Sequence, residues 1–255
     1  MKSFRTLTNV LVSIVLLIVI WQAIVLIGGY NDSLLPAPLS VGKAVLKLLL
    51  DGTLWTHLQV SLLRFAAGYF SASITAIVLG LLLGRLPVLW GFVDPIVQVI
   101  RPVSPIAWSP FIVLWFGIGN APAIVIIFLA AFFPVLLSTV TAVRKMDVTY
   151  LKVAQNLEIG RYHLFSKIIL PAIFPFIANG LHIAVGTSWI FLVSGEMVGA
   201  QSGLGFMIVD ARNQLRLDFV LAGIIFIGLC GLLLDRIIRL LERWMDKQWG
   251  IIRES

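Results

Sequence analysis

Residues 150–171, YLKVAQNLEIGRYHLFSKIILP, form a polar stretch in the middle of an otherwise strongly apolar chain. It carries Lys152, Glu158, Arg161, His163 and Lys167. The apolar residues between them are too few to cross a bilayer, which takes roughly 20 residues of helix, yet they are too regularly spaced for a disordered linker. The stretch therefore indicates a structured segment outside the membrane.

The spacing of these apolar residues predicts two short helices with a turn between them over residues 143–171. Asp147 can cap the first helix and Gly160 can break it, and we expect Leu170 and Pro171 to stop the second. A helix-turn-helix of this size has the shape to insert into a groove of another protein. We therefore predict that the loop is a docking element.

The chain around the loop has the composition of an integral membrane protein. Of its 255 residues, 60% are hydrophobic and only 12% are charged, and the mean hydropathy is +1.03. Apolar runs of roughly 20 residues, the length of one crossing, recur along it. We predict an all-α, polytopic membrane protein with six transmembrane helices, at about residues 10–28, 58–84, 91–118, 121–142, 173–195 and 218–240.

The basic residues determine the predicted orientation. With a cytoplasmic N-terminus, 13 of the 19 Lys and Arg residues fall on cytoplasmic segments. These are Lys2, Arg5, Arg85, Arg144, Lys145, Lys152, Arg161, Lys167, Arg236, Arg239, Arg243, Lys247 and Arg253. Because short loops rich in Lys and Arg stay on the cytoplasmic side, we predict that both termini and the 143–171 loop are cytoplasmic.

We expect a single transmembrane domain over residues 1–255. Its core covers about residues 58–240, and residues 1–57 comprise the first span and an external segment. Within that segment, residues 39–50 have the apolar spacing of a short amphipathic helix.

Two spans have unusual sequences. In the second span small residues recur every four positions, which predicts close packing against another helix: Gly68, Ala72, Ala76, Gly80 and Gly84. The third span contains Pro95, Pro102, Pro105 and Pro110. Each proline removes a backbone donor, so we do not expect a continuous helix there. Broken backbone at membrane depth lies within protein or lines a wet cavity, and we predict that this break faces the interior or a pathway.

The candidate pathway or structural charges are Arg64, Asp94, Arg101, His182 and Glu196. An ionisable group at bilayer depth costs about 2.5 to 3.5 kcal/mol on insertion scales, so it usually faces the bundle interior and is paired. We expect Arg64 to extend to the outer interface. Asp94 and Arg101 are seven residues apart and either form an ion pair or line a pathway.

The other two candidates end or interrupt the fifth span. We expect Glu196 to pair with Arg212 or Arg216 in the loop that follows. His182 is interpreted as a hydrogen-bonded interior residue.

No catalytic, metal-binding or nucleotide-binding motif occurs in the sequence. It lacks H-E-x-x-H, C-x-x-C, G-x-S-x-G and G-x-x-x-x-G-K-[ST] patterns, and its basic residues form no stripe suited to nucleic acid. We therefore expect no catalytic residue, no metal and no cofactor bound by this chain. A secondary transporter or channel would show an inverted repeat or a chain of acids, and a membrane-embedded enzyme would show converging His, Asp or Glu; neither pattern is present.

The 143–171 loop resembles the E-A-A…G…I-x-L-P segment of permease subunits of ATP-binding-cassette (ABC) importers, the segment that docks into the ATPase. Ile168, Leu170 and Pro171 align with its end. Lys152 takes the place of the usual Glu, Val153 and Ala154 follow at the alanine positions, and Glu158 falls where the family usually has Gly. The coupling residues implied by the resemblance are Lys152, Val153, Ala154, Leu157, Glu158, Ile159, Gly160, Arg161, Tyr162, Leu170 and Pro171.

The resemblance extends over nearly the whole chain and is closest to the nitrate, sulfonate and taurine branch. It is carried by LLPAPLSVGKAV, DPIVQVIRPVSPIAWSPFIVLWFGIG, VSGEMVGAQSGLGFMIVDARN and DFVLAGIIFIGLCGLLLDRIIRLLER. It implies a type I importer permease fold with cytoplasmic coupling helices in a bacterial inner membrane.

The resemblance also implies partners and a solute class. A substrate-binding protein outside the cytoplasm delivers the solute, a second permease copy completes the path as a homodimer, and two separate ATPase subunits bind ATP and Mg. The solute is a small anion of the taurine, alkanesulfonate or nitrate class, with Arg101 beside its path. A pyrimidine-type vitamin precursor is the alternative solute.

Overall fold

The computed structural model describes residues 2–146 and 160–248, and every regular element within them is helical. The helices are α1 (Lys2–Gly28), α2 (Pro38–Leu50), α3 (Thr53–Arg85), α4 (Pro87–Ile100), α5 (Ser109–Phe116), α6 (Asn120–Arg144), α7 (Leu170–Gly199), α8 (Leu204–Asn213) and α9 (Leu217–Gln248). A short 3-10 helix, Pro105–Trp108, precedes α5. A helical turn, Arg161–His163, and a π-helical segment, Leu164–Ile169, lead into α7.

Five segments of the described chain are long and apolar enough to cross a membrane. They are Leu11–Gly28, Thr53–Arg85, Asn120–Arg144, Lys167–Gly199 and Leu217–Arg243. A sixth candidate is the pair Pro87–Ile100 and Pro105–Phe116, which is bent by 86° at the break between α4 and the 3-10 helix. The predictions of an all-α, polytopic membrane protein and of a broken third span are confirmed, and the count is six when the bent pair is one span.

The predicted stripe of small residues on α3 lies against α6. A methyl group added at Gly80 would lie 2.6 Å from Cβ of Thr139, and one added at Gly84 would lie 2.7 Å from Cβ of Val143. Ala72 and Ala76, two turns and one turn before Gly80, are fully buried. The two backbones approach so closely that only small residues fit, which is how helices associate in lipid.

Contacts divide the chain into two compact units. The larger unit consists of Ser61–Gln201 and Cys230–Ser255, and the smaller of Met1–Val60 and Ser202–Leu229. In the smaller unit α2 is amphipathic as predicted, because Val41, Ala44 and Leu48 are buried.

Two loops of the smaller unit have well-defined ends. The Oδ1 atom of Asp51 accepts a hydrogen bond from the Thr53 backbone N–H at 3.0 Å, and this bond holds the pKa of Asp51 below its ordinary value. At the end of α8 the backbone N–H groups of Leu215 and Arg216 donate to the carbonyls of Arg212 and Ala211. This pair of bonds is a Schellman motif, with Leu215 in the left-handed conformation at φ 58°.

The prediction that Leu170 and Pro171 stop a loop helix is wrong. Leu170 begins α7, and the proline lies in its first turn. A proline is tolerated there because the first N–H groups of a helix have no intrahelical acceptor. The span predicted at residues 173–195 accordingly extends to Leu170–Gly199. The first predicted loop helix, with Asp147 as its cap, lies outside the described residues.

Candidate functional site

A cavity of about 790 Å³ opens in the larger unit between the bent α4–α5 pair, α6 and α7. Eight aromatic side chains line it: Trp108, Phe111, Trp115, Phe116, Phe128, Phe132, Phe133 and Phe191. The bend creates the cavity, because α4 and α5 diverge at the residues between Arg101 and Pro105. The break therefore borders this cavity, and its facing the protein interior or a pathway stays a prediction.

Arg101 is the only charged residue among the described residues that line this cavity. It follows the last residue of α4, and its backbone N–H donates to the Val97 carbonyl at 2.9 Å. Ser138 and Thr187 also line the cavity. The wall thus combines a large apolar surface with one guanidinium group, which can bind an oxyanion through two parallel N–H donors.

The ion pair expected between Asp94 and Arg101 is not formed. Asp94 instead accepts a hydrogen bond from the side-chain amide of Gln98, one turn further along α4, at 3.2 Å. The other alternative, a pathway role for Arg101, stays a prediction.

Arg64 and Glu196 form a buried ion pair in the larger unit. The Nη1 atom of Arg64 donates to Oε1 of Glu196 at 2.8 Å, and the two side chains are 3% and 0% exposed. Ser61 donates to both carboxylate oxygens, at 2.8 and 2.9 Å, and Asn120 accepts from Nε and Nη2 of Arg64, at 2.9 and 2.6 Å. The network joins α3, α7 and the first residue of α6.

Two expectations about this pair were wrong. Arg64 is buried and does not extend to an interface, and the ion-pair partner of Glu196 is Arg64. A buried guanidinium without a partner costs several kcal/mol, so burial beside Glu196 is favourable only because the opposite charge and the hydrogen bonds compensate it. Because the pair is neutral and its donors are occupied, it is suited to structure and not to binding an anion.

His182 lies between two carboxylates of α9. Its Nε2 is 3.0 Å from Oδ1 of Asp235 and its Nδ1 is 3.1 Å from Oε2 of Glu242. Asp235 also pairs with Arg239, one turn further along the helix. The hydrogen bonds expected of His182 are present, its side chain is half-buried, and the contact links α7 to the second half of α9.

Four residues of these contacts were not predicted from the sequence: Ser61, Asn120, Asp235 and Glu242. A signal for the first network existed: Arg64 lies four residues before Gly68 and so continues the small-residue stripe that faces α6. Asp235 and Glu242 are seven residues apart and share one helix face. The sequence gives no indication that His182 lies opposite that face.

The predicted coupling loop is described only in its second half. Lys152, Val153, Ala154, Leu157, Glu158 and Ile159 lie outside the described residues. Of the rest, Gly160 is exposed, Arg161 begins the helical turn, and the Tyr162 side chain is 78% exposed. Leu164 packs on a core cluster of Ala142, Ile169, Ile173 and Ile177. The exposed end of this segment is thereby anchored to α6 and α7.

Within residues 2–146 and 160–248, no group of three or more His, Cys, Asp or Glu side chains could hold a metal ion. The described residues bring together a bent span, an aromatic cavity and one cation on the cavity wall.

Known proteins share the sequence over most of its length. The protein SsuC of Bacillus subtilis (strain 168), named as an aliphatic sulfonates transport permease protein, is 37% identical over 231 residues. The match covers 91% of this chain and 84% of that protein. The taurine transport system permease protein TauC of Escherichia coli (strain K12) is 35% identical over 98% of this chain and 92% of its own length. The nitrate import permease protein NrtB of Synechocystis sp. is 33% identical over 91% of this chain and 86% of its own.

A solved structure shares the fold. A chain of the MetNI methionine ABC transporter in an inward-facing conformation matches with a TM-score of 0.53 and 22% identity, covering 72% of this chain and 95% of that chain. The family model described as the inner membrane component of binding-protein-dependent transport systems matches residues 76–247. The chain therefore belongs to the family of binding-protein-dependent transport system inner membrane components, the permease subunits of ABC importers.

Proposed function

We propose that the aromatic cavity forms part of the path of a small oxyanion through the membrane and that Arg101 is the cation beside that path. The observation that carries the proposal is the position of Arg101 on the cavity wall at the bend between α4 and α5. The positive charge of Arg64 is balanced by Glu196 and does not serve this purpose. As a member of its family the chain is a non-catalytic membrane subunit of an ATP-driven importer.

The solute class follows from the relatives and from the chemistry of the wall. The three relatives are named for aliphatic sulfonates, taurine and nitrate, which all carry an anionic group with several equivalent oxygens. A guanidinium group matches such an anion with two parallel hydrogen bonds. We assign this chain to the sulfonate, taurine or nitrate class on that basis.

The importer contains further subunits. Family membership implies ATPase subunits and a substrate-binding protein. We propose that two identical permease copies and two ATPase subunits assemble in the bacterial inner membrane. The ATPase subunits bind ATP and Mg in this assembly. Residues 1–255 act as one permease domain. The exposure of Phe92, Leu114 and Trp115, each more than 70% in the single chain, supports coverage of the α4–α5 face by a second copy.

The 143–171 loop is the proposed contact with the ATPase, and it faces the cytoplasm together with both termini. The exposed Tyr162 beside the anchored Leu164 supports a protruding end on a firm base. A push on this end is transmitted directly to α6 and α7, which form two walls of the cavity.

The role of Arg101 is tested by uptake into proteoliposomes that contain the complete complex, with taurine and nitrate as probes. We expect Arg101→Gln to reduce uptake of the transported probe at least about tenfold. This factor corresponds to the loss of one charge-assisted hydrogen bond of about 1.4 kcal/mol or more. Arg101→Lys keeps the positive charge and should retain part of the uptake. Arg216→Gln, which removes an exposed cation of the smaller unit, is the matched control. Unchanged uptake by Arg101→Gln with normal assembly would reject the role.

The coupling loop is tested by cysteine crosslinking. Cys230 is the only cysteine and is first replaced by serine. We expect cysteines at Leu157 and Tyr162 to crosslink to the ATPase subunit, with a yield that depends on bound nucleotide. A cysteine at the exposed Leu46 of α2, on the predicted outer side, is the control and should not react. Failure of both loop positions to crosslink in every nucleotide state would refute the contact.

A further inference from the structure

The C-terminal part of α9 carries three arginines on one face. Arg236, Arg239 and Arg243 follow each other at intervals of three and four residues, so they lie within one stripe of the helix surface. All three are exposed, and together with Leu240 they line a cavity of about 330 Å³. We refer to these three residues as the arginine stripe.

Two acidic residues of the same segment take part in the contact between α9 and α7. Asp235 and Glu242 both bond to His182 of α7, so their charges are committed to the contact between the two helices. Arg239 is held by Asp235. Among the side chains that the structure describes, neither Arg236 nor Arg243 has an acidic partner within 4 Å. The stripe therefore presents net positive charge to its surroundings.

The stripe continues a face of α9 that is suited to lipid. Leu232 and Leu233 lie four and three residues before Arg236, and Leu240 lies four residues after it. These leucines are 63%, 59% and 62% exposed. The candidate span ends at Arg243, so the arginines stand where an apolar face leaves the hydrocarbon. At that depth a membrane presents the phosphate groups of its lipids.

We propose that the arginine stripe is a binding site for the phosphate headgroup of an anionic glycerophospholipid. Guanidinium groups bind phosphate oxygens through paired N–H donors, and basic residues at the membrane surface contribute about 1 kcal/mol each toward anionic lipid. The leucines before the stripe contact the acyl chains of the same lipid. The inference does not depend on the solute or on the coupling loop.

A lipid is the expected ligand because the arginine stripe and the apolar leucine face are continuous on α9. A free phosphate ion would use the arginines without the leucines, and an acidic surface of a partner protein would not need a position at the end of the hydrocarbon. These two alternatives give different results in the experiment below.

The test uses the purified, delipidated full-length chain in detergent and native mass spectrometry to measure bound lipid. The probes are phosphatidylglycerol, phosphatidylcholine and inorganic phosphate. We expect phosphatidylglycerol to bind at least about tenfold more tightly than phosphatidylcholine. Arg236→Gln and Arg243→Gln should each weaken it about fivefold, because about 1 kcal/mol corresponds to that factor. The charge-retaining variants Arg236→Lys and Arg243→Lys should fall between parent and glutamine.

The control variant is Lys43→Gln, which removes an exposed cation from α2 and should leave binding unchanged. Arg239 is left intact because it pairs with Asp235. Equal affinity for the two lipids, or unchanged phosphatidylglycerol binding in the double variant Arg236→Gln/Arg243→Gln, would overturn the proposal. Displacement of the lipid by inorganic phosphate at equal concentration would show that a free phosphate ion is the ligand. Loss of the ATPase on co-purification of the double variant, with lipid binding unchanged, would show that the stripe binds a partner protein. Either result would overturn the choice of a lipid.

Discussion

The guanidinium group of Arg64 lies 2.8 Å from the carboxylate of Glu196, with both side chains buried and 132 residues apart in sequence. The pair joins α3 to α7, and Asn120 ties it to the start of α6. In lipid the hydrophobic effect does not drive helices together, so a paired charge of this kind specifies which helices are neighbours. The pair also removes Arg64 from the cations available to a solute.

Glu196→Gln should destabilise the protein strongly. It leaves the Arg64 charge buried without its counter-ion, and breaking a buried pair costs about 3 to 5 kcal/mol. The measurement is the thermal unfolding midpoint of the detergent-purified chain. Asp218→Asn, which breaks the part-exposed pair with Arg216, is the matched control and should cost no more than about 1 kcal/mol. Equal effects of the two variants would show that Arg64 is not held by Glu196.

His182→Leu should loosen the contact between α7 and α9. The variant leaves Asp235 and Glu242 without the imidazole that separates them, and a hydrogen bond to a charged group contributes about 1.5 to 3 kcal/mol. The side chains are partly exposed, so we expect the lower end of that range. His163→Leu, at an exposed position next to Tyr162, is the control. A midpoint for His182→Leu that matches the control would contradict the role of the bridge.

Features that depend on local spacing could be predicted from the sequence. The stripe from Gly68 to Gly84, the amphipathic α2 and the prolines that break the third span all act within one or two turns of the chain. Periodicity and backbone chemistry are sufficient there. Arg101 could be singled out for the same reason, because it stands at a break.

Pairings between distant helices could not be predicted. Arg64 and Glu196 meet only because α3 and α7 pack side by side. No pattern in either segment indicates which residue of the other segment it contacts. The error at Leu170 and Pro171 has a different cause. A proline ends a helix that precedes it and begins one that follows it, and the sequence alone did not distinguish these two positions.

Gly180→Ala should impair folding where Gly186→Ala does not. A methyl group added at Gly180 would lie 2.5 Å from Cβ of Ser138 on α6, whereas nothing lies within 4 Å of one added at Gly186 on the same helix. We expect a cost of about 1 to 3 kcal/mol for the first variant, as for overpacking in a core. A small gain in helix propensity is expected for the second. Unfolding midpoints of the two variants test this directly, and a stable Gly180→Ala would contradict the close contact of α6 and α7.

Leu215→Gly should stabilise the smaller unit. Leu215 is 74% exposed and holds the left-handed conformation that the Schellman motif requires, which costs a leucine about 1 kcal/mol relative to glycine. Little packing is lost because the side chain faces outward. The unfolding midpoint should rise slightly, and Leu46→Gly, at an exposed position inside α2, should lower it. A fall for Leu215→Gly comparable to that for Leu46→Gly would show that the leucine has a packing role.

The most direct test of the central claim is solute uptake by purified components in proteoliposomes. The claim is that this chain provides the path and that separate ATPase subunits provide the energy. We predict that uptake requires the chain, the ATPase, the substrate-binding protein and ATP together, and that it stops when ATP is replaced by a non-hydrolysable analogue. Uptake against a gradient by the chain alone, with no ATPase in the vesicle, would contradict the account.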